Sequence, residues 1–374
     1  MRLLHTADWH VGRSLQGRNR LDEQQAVLAE IASIAREQEA ELILITGDLF
    51  DSASPSPEAE SVVYGALLEL SKIGKVVVTP GNHDSDRRLQ AVTAVFGLAD
   101  VTIRPFVDPR PLRFDSKDGE PVMLATLPWI SQRYIVKAAQ LMDLDAFELG
   151  SEFKDRVGHM IERVCEPFSK DSINLFAGHL SLFNATLGGG ERTAQTIFEY
   201  CVDATAFPGS AHYVALGHIH KAQKMPGPCP IHYCGAPLHL DFSDDEGPRQ
   251  VNLVDVRPGL PAEVQEIELT SGRRLRTITG TLKQLEKVAG SCGDDHLRVV
   301  VTSKAHTGLG DEIRELFPNA VKVIAAAPDE TRPSETLDRQ TLSPQDLFIR
   351  YLDERDIEDP ALVSLFSELY EECV

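Results

Sequence analysis

The sequence predicts a layered α/β fold, on three observations. Short apolar runs rich in Val, Ile and Leu recur through the first two-thirds of the chain. Their nearly continuous hydrophobicity is typical of strands that are covered on both faces. The segments between the first runs carry apolar residues at helical spacing. The resulting strand–helix–strand–helix order is that of a sheet with helices packed against it.

Each element follows from a short stretch of sequence. The predicted strands are residues 2–7, 41–46, 75–80, 121–127, 173–178, 213–217, 230–235 and 250–256. A first helix is predicted over residues 21–40, where Val27, Leu28, Ile31 and Ile34 form one apolar face. A second helix is predicted over residues 57–74, with Gly74 as its C-terminal cap.

The pattern of predicted elements changes after about residue 270, and the last third of the chain predicts two further units. Residues 272–328 read as strand–helix–strand–helix–strand, and residues 341–374 read as two helices. We therefore divide the chain into domains at 1–271, 272–328 and 341–374. The apolar faces of the terminal helices either dock onto the rest of the chain or bind a partner, and the sequence leaves both open.

Composition excludes little. The 374 residues carry a net charge of −20, which argues against broad electrostatic adhesion to nucleic acid. It excludes neither a local basic path nor an enzyme whose metal ions neutralise the phosphate. Six scattered cysteines without a CxxC pair predict reduced thiols. No apolar run reaches the length of a membrane span or a signal sequence, so we expect a soluble, cytoplasmic protein.

Potential metal ligands follow the ends of five predicted strands. They occur in the motifs D-x-H, G-D, G-N-H-D, G-H and G-H-x-H, and the residues are Asp8, His10, Asp48, Asn82, His83, Asp84, His179, His218 and His220. In an open α/β sheet, ligands bind beyond the carboxyl ends of the strands. We therefore expect these side chains to meet in one crevice.

The residue types indicate the kind of site. Carboxylates, imidazoles and an amide oxygen together suit Mn²⁺, Fe²⁺ or Zn²⁺, whereas all-oxygen sets favour Mg²⁺ or Ca²⁺. This set is too large for one ion with an open position and is about right for two ions that share a carboxylate. Such pairs of ions recur in phosphoester cleavage. Each residue alone would be a turn former or a structural histidine, so the inference depends on the ordered set.

These motifs, in this order, resemble those of the calcineurin-like metallophosphoesterases. The resemblance implies an α/β/β/α sandwich and two divalent ions, for which we expect Mn²⁺. One ion would be held by Asp8, His10 and His220, and the other by Asn82, His179 and His218. Asp48 would bridge the two ions. His83 would act as general acid, with Asp84 orienting its ring.

Within that family, the chain resembles the nuclease subunits of DNA break-repair complexes. The similarity includes "LLHTADWHVGRSL", "ITGDLFD", "PGNHDS", "ALGHIHK" and "YCGAPLHLDFSD", and extends over nearly the whole chain. It implies hydrolysis of DNA phosphodiesters, as a double-strand exonuclease and a single-strand or hairpin endonuclease. Residues 272–328 would cap the DNA and residues 341–374 would bind an ATPase. No P-loop is present, so any ATP dependence must come from that partner.

The same resemblance implies a homodimer, and a heterotetramer with the ATPase. The candidate dimer surfaces are residues 57–70 and the helix after "GNHDSDRR". Asp51 stands where some relatives place a histidine, which leaves the ligand set intact and the contribution of Asp51 open.

Several arginines are candidate DNA contacts. Arg13, Arg18 and Arg20 follow the first motif, and Arg192 lies in a glycine-rich loop after His179. Residues 272–328 add Arg273, Arg274 and Arg276. These side chains could position phosphates without reading sequence, or could simply lie in solvated loops.

Two other functions share the motifs. One is an enzyme acting on small phosphodiesters or phosphoproteins, and the other is a scaffold that has lost its metals. A small substrate needs neither the added α/β unit nor apolar terminal helices, and the intact ligand set argues against the scaffold.

Overall fold

The computed structural model describes residues 1–131, 153–189, 191, 201–244, 247–303, 306, 308–325, 348–349, 351–352, 362–363 and 365–366. Two six-stranded sheets form the centre of this part of the chain. The first has the order β14-β13-β1-β2-β3-β4, with strands β1 Arg2–Thr6, β2 Leu42–Thr46, β3 Lys75–Thr79, β4 Val101–Ile103, β13 Gln250–Asp255 and β14 Glu263–Glu268. Strands β1 to β4 are parallel, and β13 pairs antiparallel with β1 and β14.

The second sheet supplies the other half of the centre. Its order is β11-β12-β10-β7-β6-β5, with strands β5 Leu112–Asp115, β6 Pro121–Leu127, β7 Ile173–His179, β10 Tyr213–Gly217, β11 Gln223–Met225 and β12 Ile231–Tyr233. Strands β6, β7, β10 and β12 are parallel. Two short strands, β8 Ser181–Leu182 and β9 Cys201–Val202, pair with each other in parallel. They lie between β7 and β10 in the sequence.

In the described part of the chain, four helices cover the outer faces of the two six-stranded sheets, and two short helices lie among residues 275–325. The helices are α1 Leu21–Glu37, α2 Pro57–Ser71, α3 Asp86–Gly97, α4 Phe153–Cys165, α5 Leu282–Val288 and α6 Leu309–Leu316. Two single 3₁₀ turns, Ala204–Ala206 and Ala289–Ser291, are also present. Helices α1 to α3 share a buried core with the first sheet, α4 shares one with the second, and a third core lies between the sheets. The layers are therefore α/β/β/α, as the family resemblance implies.

The inference of one open sheet was too simple. The five ligand-bearing strands are divided between the sheets, with β1, β2 and β3 in the first and β7 and β10 in the second. Their carboxyl ends still lie at one edge of the sandwich. All eight predicted strands are present, whereas β4, β5, β8, β9, β11 and β14 were missed. The missed strands are mostly two to four residues long or, like β14, largely exposed and polar.

Local signals explain the helix boundaries. Helix α1 begins with Asp22 and Glu23 and ends with Arg36, charges that complement the helix dipole. The Ser56 side chain caps α2 by accepting from the backbone N–H of Ala59. Helix α2 ends at Ser71, three residues before the predicted cap. Glycine is still required at position 74, because a Cβ there would lie 2.5 Å from the Ala40 carbonyl oxygen.

A small α/β unit with the element order strand–helix–strand–helix–strand follows β14 of the first sheet in sequence. Its strands β15 Leu275–Gly280, β16 His296–Val301 and β17 Ala320–Ala325 form a parallel sheet with its own apolar core. The prediction for residues 341–374 falls largely outside the described residues. In the described part, the Phe348 and Phe366 rings stack with centroids 4.2 Å apart, so these two segments contact each other. None of the described helices is long and apolar enough to span a membrane.

Glu23 joins the small unit to the first helix. Its carboxylate accepts from the Arg20 guanidinium at 3.0 Å and from the backbone N–H of Arg273 at 3.0 Å, and it lies 2.8 Å from His296 Nε2. Burial raises the pKa of Glu23, but these contacts outweigh it and bring the pKa to about 2. Arg18 adds contacts at 3.3 Å to the carbonyls of Pro318 and Ala320.

Glu23→Gln should weaken this junction, because it removes the charge facing the buried Arg20. We expect a loss of about 1–2 kcal/mol in unfolding free energy at pH 7, measured by denaturant titration. Since the pKa falls from 4.5 to about 2, the contribution of the carboxylate is complete above about pH 4.5 and is lost as pH falls toward 2. The gap between variant and wild type should therefore shrink below pH 4.5. The exposed neighbour supplies the control, Asp22→Asn, and an equal loss in that variant would contradict the prediction.

Candidate metal centre

The loops that follow β1 and β2 are tied together by their backbones. The N–H of Asp8 donates to the Gly47 carbonyl at 3.0 Å, and the N–H of His10 donates to the Asp48 carbonyl at 2.9 Å. Across the sheets, the N–H of His218 donates to Asp8 Oδ1 at 2.9 Å. These bonds place side chains from both sheets in one buried cluster.

Several of these side chains stand on strained backbone. Asp8, His10, Asp48 and His218 have φ values of 53°, 44°, 50° and 98°, in the left-handed region that L-residues rarely adopt. Each such residue costs on the order of 1–3 kcal/mol. Strain of this kind concentrates at functional sites, where the surrounding core holds it in place.

The glycines of three motifs are required by close approach. A Cβ at Gly47 would lie 2.1 Å from His179 Nδ1, and one at Gly81 would lie 2.2 Å from Asp48 Oδ1. A Cβ at Gly217 would lie 1.8 Å from the Thr46 carbonyl oxygen. Gly47 and Gly217 therefore let the two sheets approach at this edge, and Gly81 lets the loops after β2 and β3 approach within the first sheet.

The first predicted ligand set comes together. Ligand atoms of Asp8, His10, Asp48 and His220 all lie within 4.8 Å of one another. His10 Nε2 is 3.1 Å from His220 Nε2, and Asp8 Oδ2 is buried without a hydrogen-bond partner in the described part of the chain. Two imidazole nitrogens and an unsatisfied carboxylate oxygen facing one point fit a divalent cation.

The second set meets around Asn82. Its Oδ1 lies 2.9 Å from both His179 Nε2 and His218 Nδ1. Asp48 Oδ2 is 3.5 Å from His179 Nε2 and also 3.5 Å from His10 Nε2 of the first set. This oxygen stands between the two sets, in the position a bridging carboxylate would occupy.

The electrostatics of the cluster also fit a cation. Burial raises the pKa of Asp8, which stays at about 7 although His179 opposes the shift. Burial lowers the pKa of His179, but the Asp48 carboxylate outweighs it and raises that pKa to about 9. His179 Nδ1 donates to the Thr46 carbonyl at 2.8 Å, which directs Nε2 toward the cluster. A set of groups that holds protons in this way releases them when a metal ion binds.

His83 lies next to the first set. Its ring packs edge-on against His10 with centroids 4.6 Å apart, and its Nδ1 lies 2.7 Å from the Asp51 carbonyl oxygen. The carbonyl makes Nδ1 the donor, so proton transfer falls to Nε2. The backbone N–H of His83 donates to Asp48 Oδ1 at 2.8 Å, which ties the proposed acid to the carboxylate between the two sets.

The expectation that Asp84 orients the His83 ring is wrong. The Asp84 carboxylate accepts from the backbone N–H groups of Leu49, Phe50 and Gly81 at 3.2, 3.1 and 2.9 Å. It therefore joins the loops after β2 and β3, and a main-chain carbonyl holds the ring. Burial raises the pKa of Asp84 to about 6, with Asp48 adding to the rise.

Asp51 has a defined position. Its carboxylate lies 3.6 Å from His10 Nδ1 and accepts from Arg13 at 3.1 Å. Burial raises the pKa of Asp51, but His10 and Arg13 outweigh it and lower the pKa to about 2. Asp51 thus orients His83 through its carbonyl, and its carboxylate acts on His10 electrostatically, across 3.6 Å.

The arginines of the first loop are mostly engaged within the protein. Arg20 is buried and donates to Glu23 and to the His239 carbonyl, so its prediction as a DNA contact is wrong. Arg13 and Arg18 are half-buried on Asp51 and on the small α/β unit. Arg192 lies outside the described residues.

Two residues that contact the candidate ligands are absent from the sequence-based prediction of the site. Trp129, just after β6, stacks on His218 with ring centroids 4.9 Å apart and an interplanar angle of 26°. Glu191 accepts from the backbone N–H of His220 at 2.9 Å and from that of Gly188 at 2.6 Å. The end of β6 lies at the same edge as the other strand ends, so the position of Trp129 directly after an apolar run is the sequence signal for it.

The family model for the calcineurin-like phosphoesterases matches residues 1–222, more than half of the chain. The chain belongs to this family. The buried cluster of Asp and His side chains fits the dimetal site of such a metal-dependent hydrolase.

Relatives match along much or all of the chain. SbcD of Bacillus subtilis, a subunit of the nuclease SbcCD, is 27% identical over 99% of this chain and 97% of its own length. The protein of the same name from Escherichia coli K12 is 28% identical over 76% of this chain and 72% of its own. A dimetal phosphatase structure from Danio rerio shares 12% identity, with a TM-score of 0.42, over 72% of this chain and 99% of its own.

Gly81→Ala should disrupt the centre of this calcineurin-like phosphoesterase, since the new methyl group would overlap the Asp48 carboxylate and backbone. We expect Mn²⁺ affinity, measured by calorimetry on metal-stripped protein, to fall at least ~10-fold, as it does when supporting residues around metal ligands are lost. Gly290→Ala is the matched control, because nothing lies within 4 Å of a Cβ there. Unchanged Mn²⁺ binding in Gly81→Ala would contradict this account of the glycine.

Proposed function

We propose that this calcineurin-like phosphoesterase is a dimetal DNA nuclease, an SbcD-like subunit that works with an SbcC-like ATPase. One observation carries the chemistry: Asp48 Oδ2 lies 3.5 Å from a histidine of each ligand set, with the His83 backbone bonded to the other carboxylate oxygen. The DNA substrate is supported by relatives named as nuclease subunits, one of which matches over 99% of the chain.

Different residues would bind the metal ions, donate a proton and hold the loops in place during phosphodiester hydrolysis. The two ligand sets would hold two divalent ions, and the mixed nitrogen and oxygen donors suit Mn²⁺. Such ions lower the pKa of water and neutralise phosphoryl oxygens. His83, oriented by the Asp51 carbonyl, donates a proton from Nε2 to the departing sugar oxygen. Asp84 keeps the loops after β2 and β3 together while this happens.

The small α/β unit is the proposed DNA-capping domain. Arg273, Arg274 and Arg276 are all exposed at its start, directly after the Glu23 junction. In a chain with a net charge of −20, a local cluster of this kind can position phosphates without broad adhesion to DNA. Arg20 is buried, and Arg13 and Arg18 are engaged by Asp51 and by backbone carbonyls, so the proposed contacts are mainly those of this unit.

The first test is cleavage of end-labelled duplex and hairpin DNA by metal-stripped protein, with Mn²⁺ or Mg²⁺ restored and with or without the cognate ATPase and ATP. We expect Mn²⁺-dependent cleavage that the ATPase and ATP alter. If no DNA is cleaved under any condition while a small phosphodiester is turned over, the nuclease proposal fails and an enzyme for small substrates replaces it.

His83→Ala should keep both metal sites and lose about 10²- to 10⁴-fold in the rate of DNA cleavage, the usual contribution of a general acid. The loss should be much smaller on a p-nitrophenyl ester of thymidine 5′-phosphate, because nitrophenolate departs without a proton. Asp48→Ala, by contrast, should lose metal binding itself. An equal loss on both substrates would exclude His83 as the acid for the leaving group.

A homodimer is proposed through α2 and α3. These helices are joined by the Arg88–Glu60 ion pair at 2.8 Å and by the Tyr64 and Phe96 rings. They leave Leu68, Val95 and Leu98 exposed by 42%, 69% and 91%. The proposed ATPase contact is the terminal segment, where Ile349, Tyr351, Leu362 and Leu365 are also exposed.

Leu98→Glu should weaken the dimer, because it places a charge in the apolar face that the second copy would bury. We expect sedimentation velocity to show dimer for wild type and a monomer fraction for the variant at micromolar concentration. Leu260→Glu, at a site exposed by 56% outside these helices, should remain dimeric. A wild-type monomer, or a dimer unaffected by Leu98→Glu, would place the interface elsewhere.

A further inference from the structure

An aromatic cleft of about 500 Å³ opens beside the metal centre. Three segments line it: the loop after β3 at residues 80–87, the segment after β4 at 105–107, and the segment after β6 at 128–131. Its volume is in the range of small-molecule sites. Nothing in the hydrolytic reaction described above uses this space.

Two aromatic side chains give the cleft its character. Phe106 is 46% exposed although most large apolar side chains in the described part of the chain are buried. Trp129 lines the cleft and also stacks on His218, with ring centroids 4.9 Å apart. The indole ring of Trp129 therefore borders the cleft and also contacts the second ligand set.

The position of the cleft limits what can occupy it. Asn82, whose Oδ1 lies 2.9 Å from His179 and His218, is part of its wall. A group of the substrate that enters the cleft while the scissile phosphodiester is at the metal centre is joined to that phosphodiester by a short link. In DNA, the group at that distance is the base of a nucleotide flanking the scissile phosphate.

The charges in the wall favour a base over a phosphate. Asp84 and Asp86 line the cleft and would repel a second phosphate. The exposed Arg87 is the one basic side chain among the described lining residues. Apolar aromatic walls bind bases by stacking, which tolerates any sequence because every base has a flat π-face.

We infer that this cleft is a nucleobase subsite, which receives one unstacked base beside the scissile phosphate and holds it against Phe106 and Trp129. The inference rests on the proposed DNA nuclease function and adds to it the way a nucleotide is placed before cleavage. A base must leave the duplex to enter the cleft, so termini that fray easily are the preferred substrates.

The test compares Phe106→Ala with wild type on Mn²⁺-dependent cleavage of short oligonucleotides that carry either a normal nucleotide or an abasic one beside the labelled scissile phosphate. Removing either the base or the aromatic ring should lower kcat/KM by roughly 5- to 150-fold, the range of one base–aromatic stack. Removing both should cost no more than removing one. Placing the abasic nucleotide on the 5′ or the 3′ side identifies which base is bound.

Two variants control for other causes. Phe106→Tyr keeps the flat ring and should cleave normally, and Leu260→Ala removes a comparably exposed apolar side chain outside the cleft and should change nothing. Mn²⁺ affinity should be the same in all variants, since Phe106 supplies no ligand.

The results separate this inference from the function on which it rests. Equal cleavage by Phe106→Ala and wild type, or a full abasic effect that persists in the variant, would overturn the subsite. A loss of Mn²⁺ affinity in Phe106→Ala would also overturn it, because Phe106 would then act on the metal centre. Failure of wild type to cleave any of the oligonucleotides would instead refute the nuclease proposal.

Discussion

The geometry of the site depends on the interactions of the Asp48 carboxylate. One oxygen accepts from the backbone of His83, and the other lies 3.5 Å from both His10 and His179. These partners come from the ends of three strands in two sheets. The position of Asp48 is therefore correct only when the sheets pack closely at this edge, which is where Gly47, Gly81 and Gly217 exclude any Cβ.

Holding this arrangement without a cation is unfavourable. Asp8 and Asp48 are both buried, Asp48 adds to the rise in the pKa of Asp8, and four ligands stand in left-handed backbone. The apolar core between the sheets holds this strain in place, since the ligand-bearing loops begin directly at strands that are almost completely buried. Bound ions would return part of that cost, so metal affinity and the stability of this edge should be linked.

The parts that sequence could predict are those with a local cause. Buried parallel strands have continuous apolar runs, so β1, β2, β3, β6, β7 and β10 were recognisable, and ligands at their ends followed from the order of motifs. The partner of Asp84 was not predictable, because its backbone donors belong to a loop that only the tertiary fold brings near. Arg20 was misjudged for the same reason. A basic residue in a loop looks solvent-facing until its buried acceptor, here Glu23, is known.

The internal pairing of these arginines bears on how so acidic a protein could use DNA. In the phosphoesterase part, Arg13, Arg18 and Arg20 are occupied by Asp51, two backbone carbonyls and Glu23, so they provide little free positive charge. The exposed arginines at the start of the small α/β unit lie beyond the Glu23 junction, whose carboxylate accepts from the Arg273 backbone. Attraction to phosphate would then come from that unit, from bound metal ions and from a partner. For the proposed nuclease, these three sources together would set the affinity for DNA, so the assembled complex would hold DNA more tightly than this chain alone.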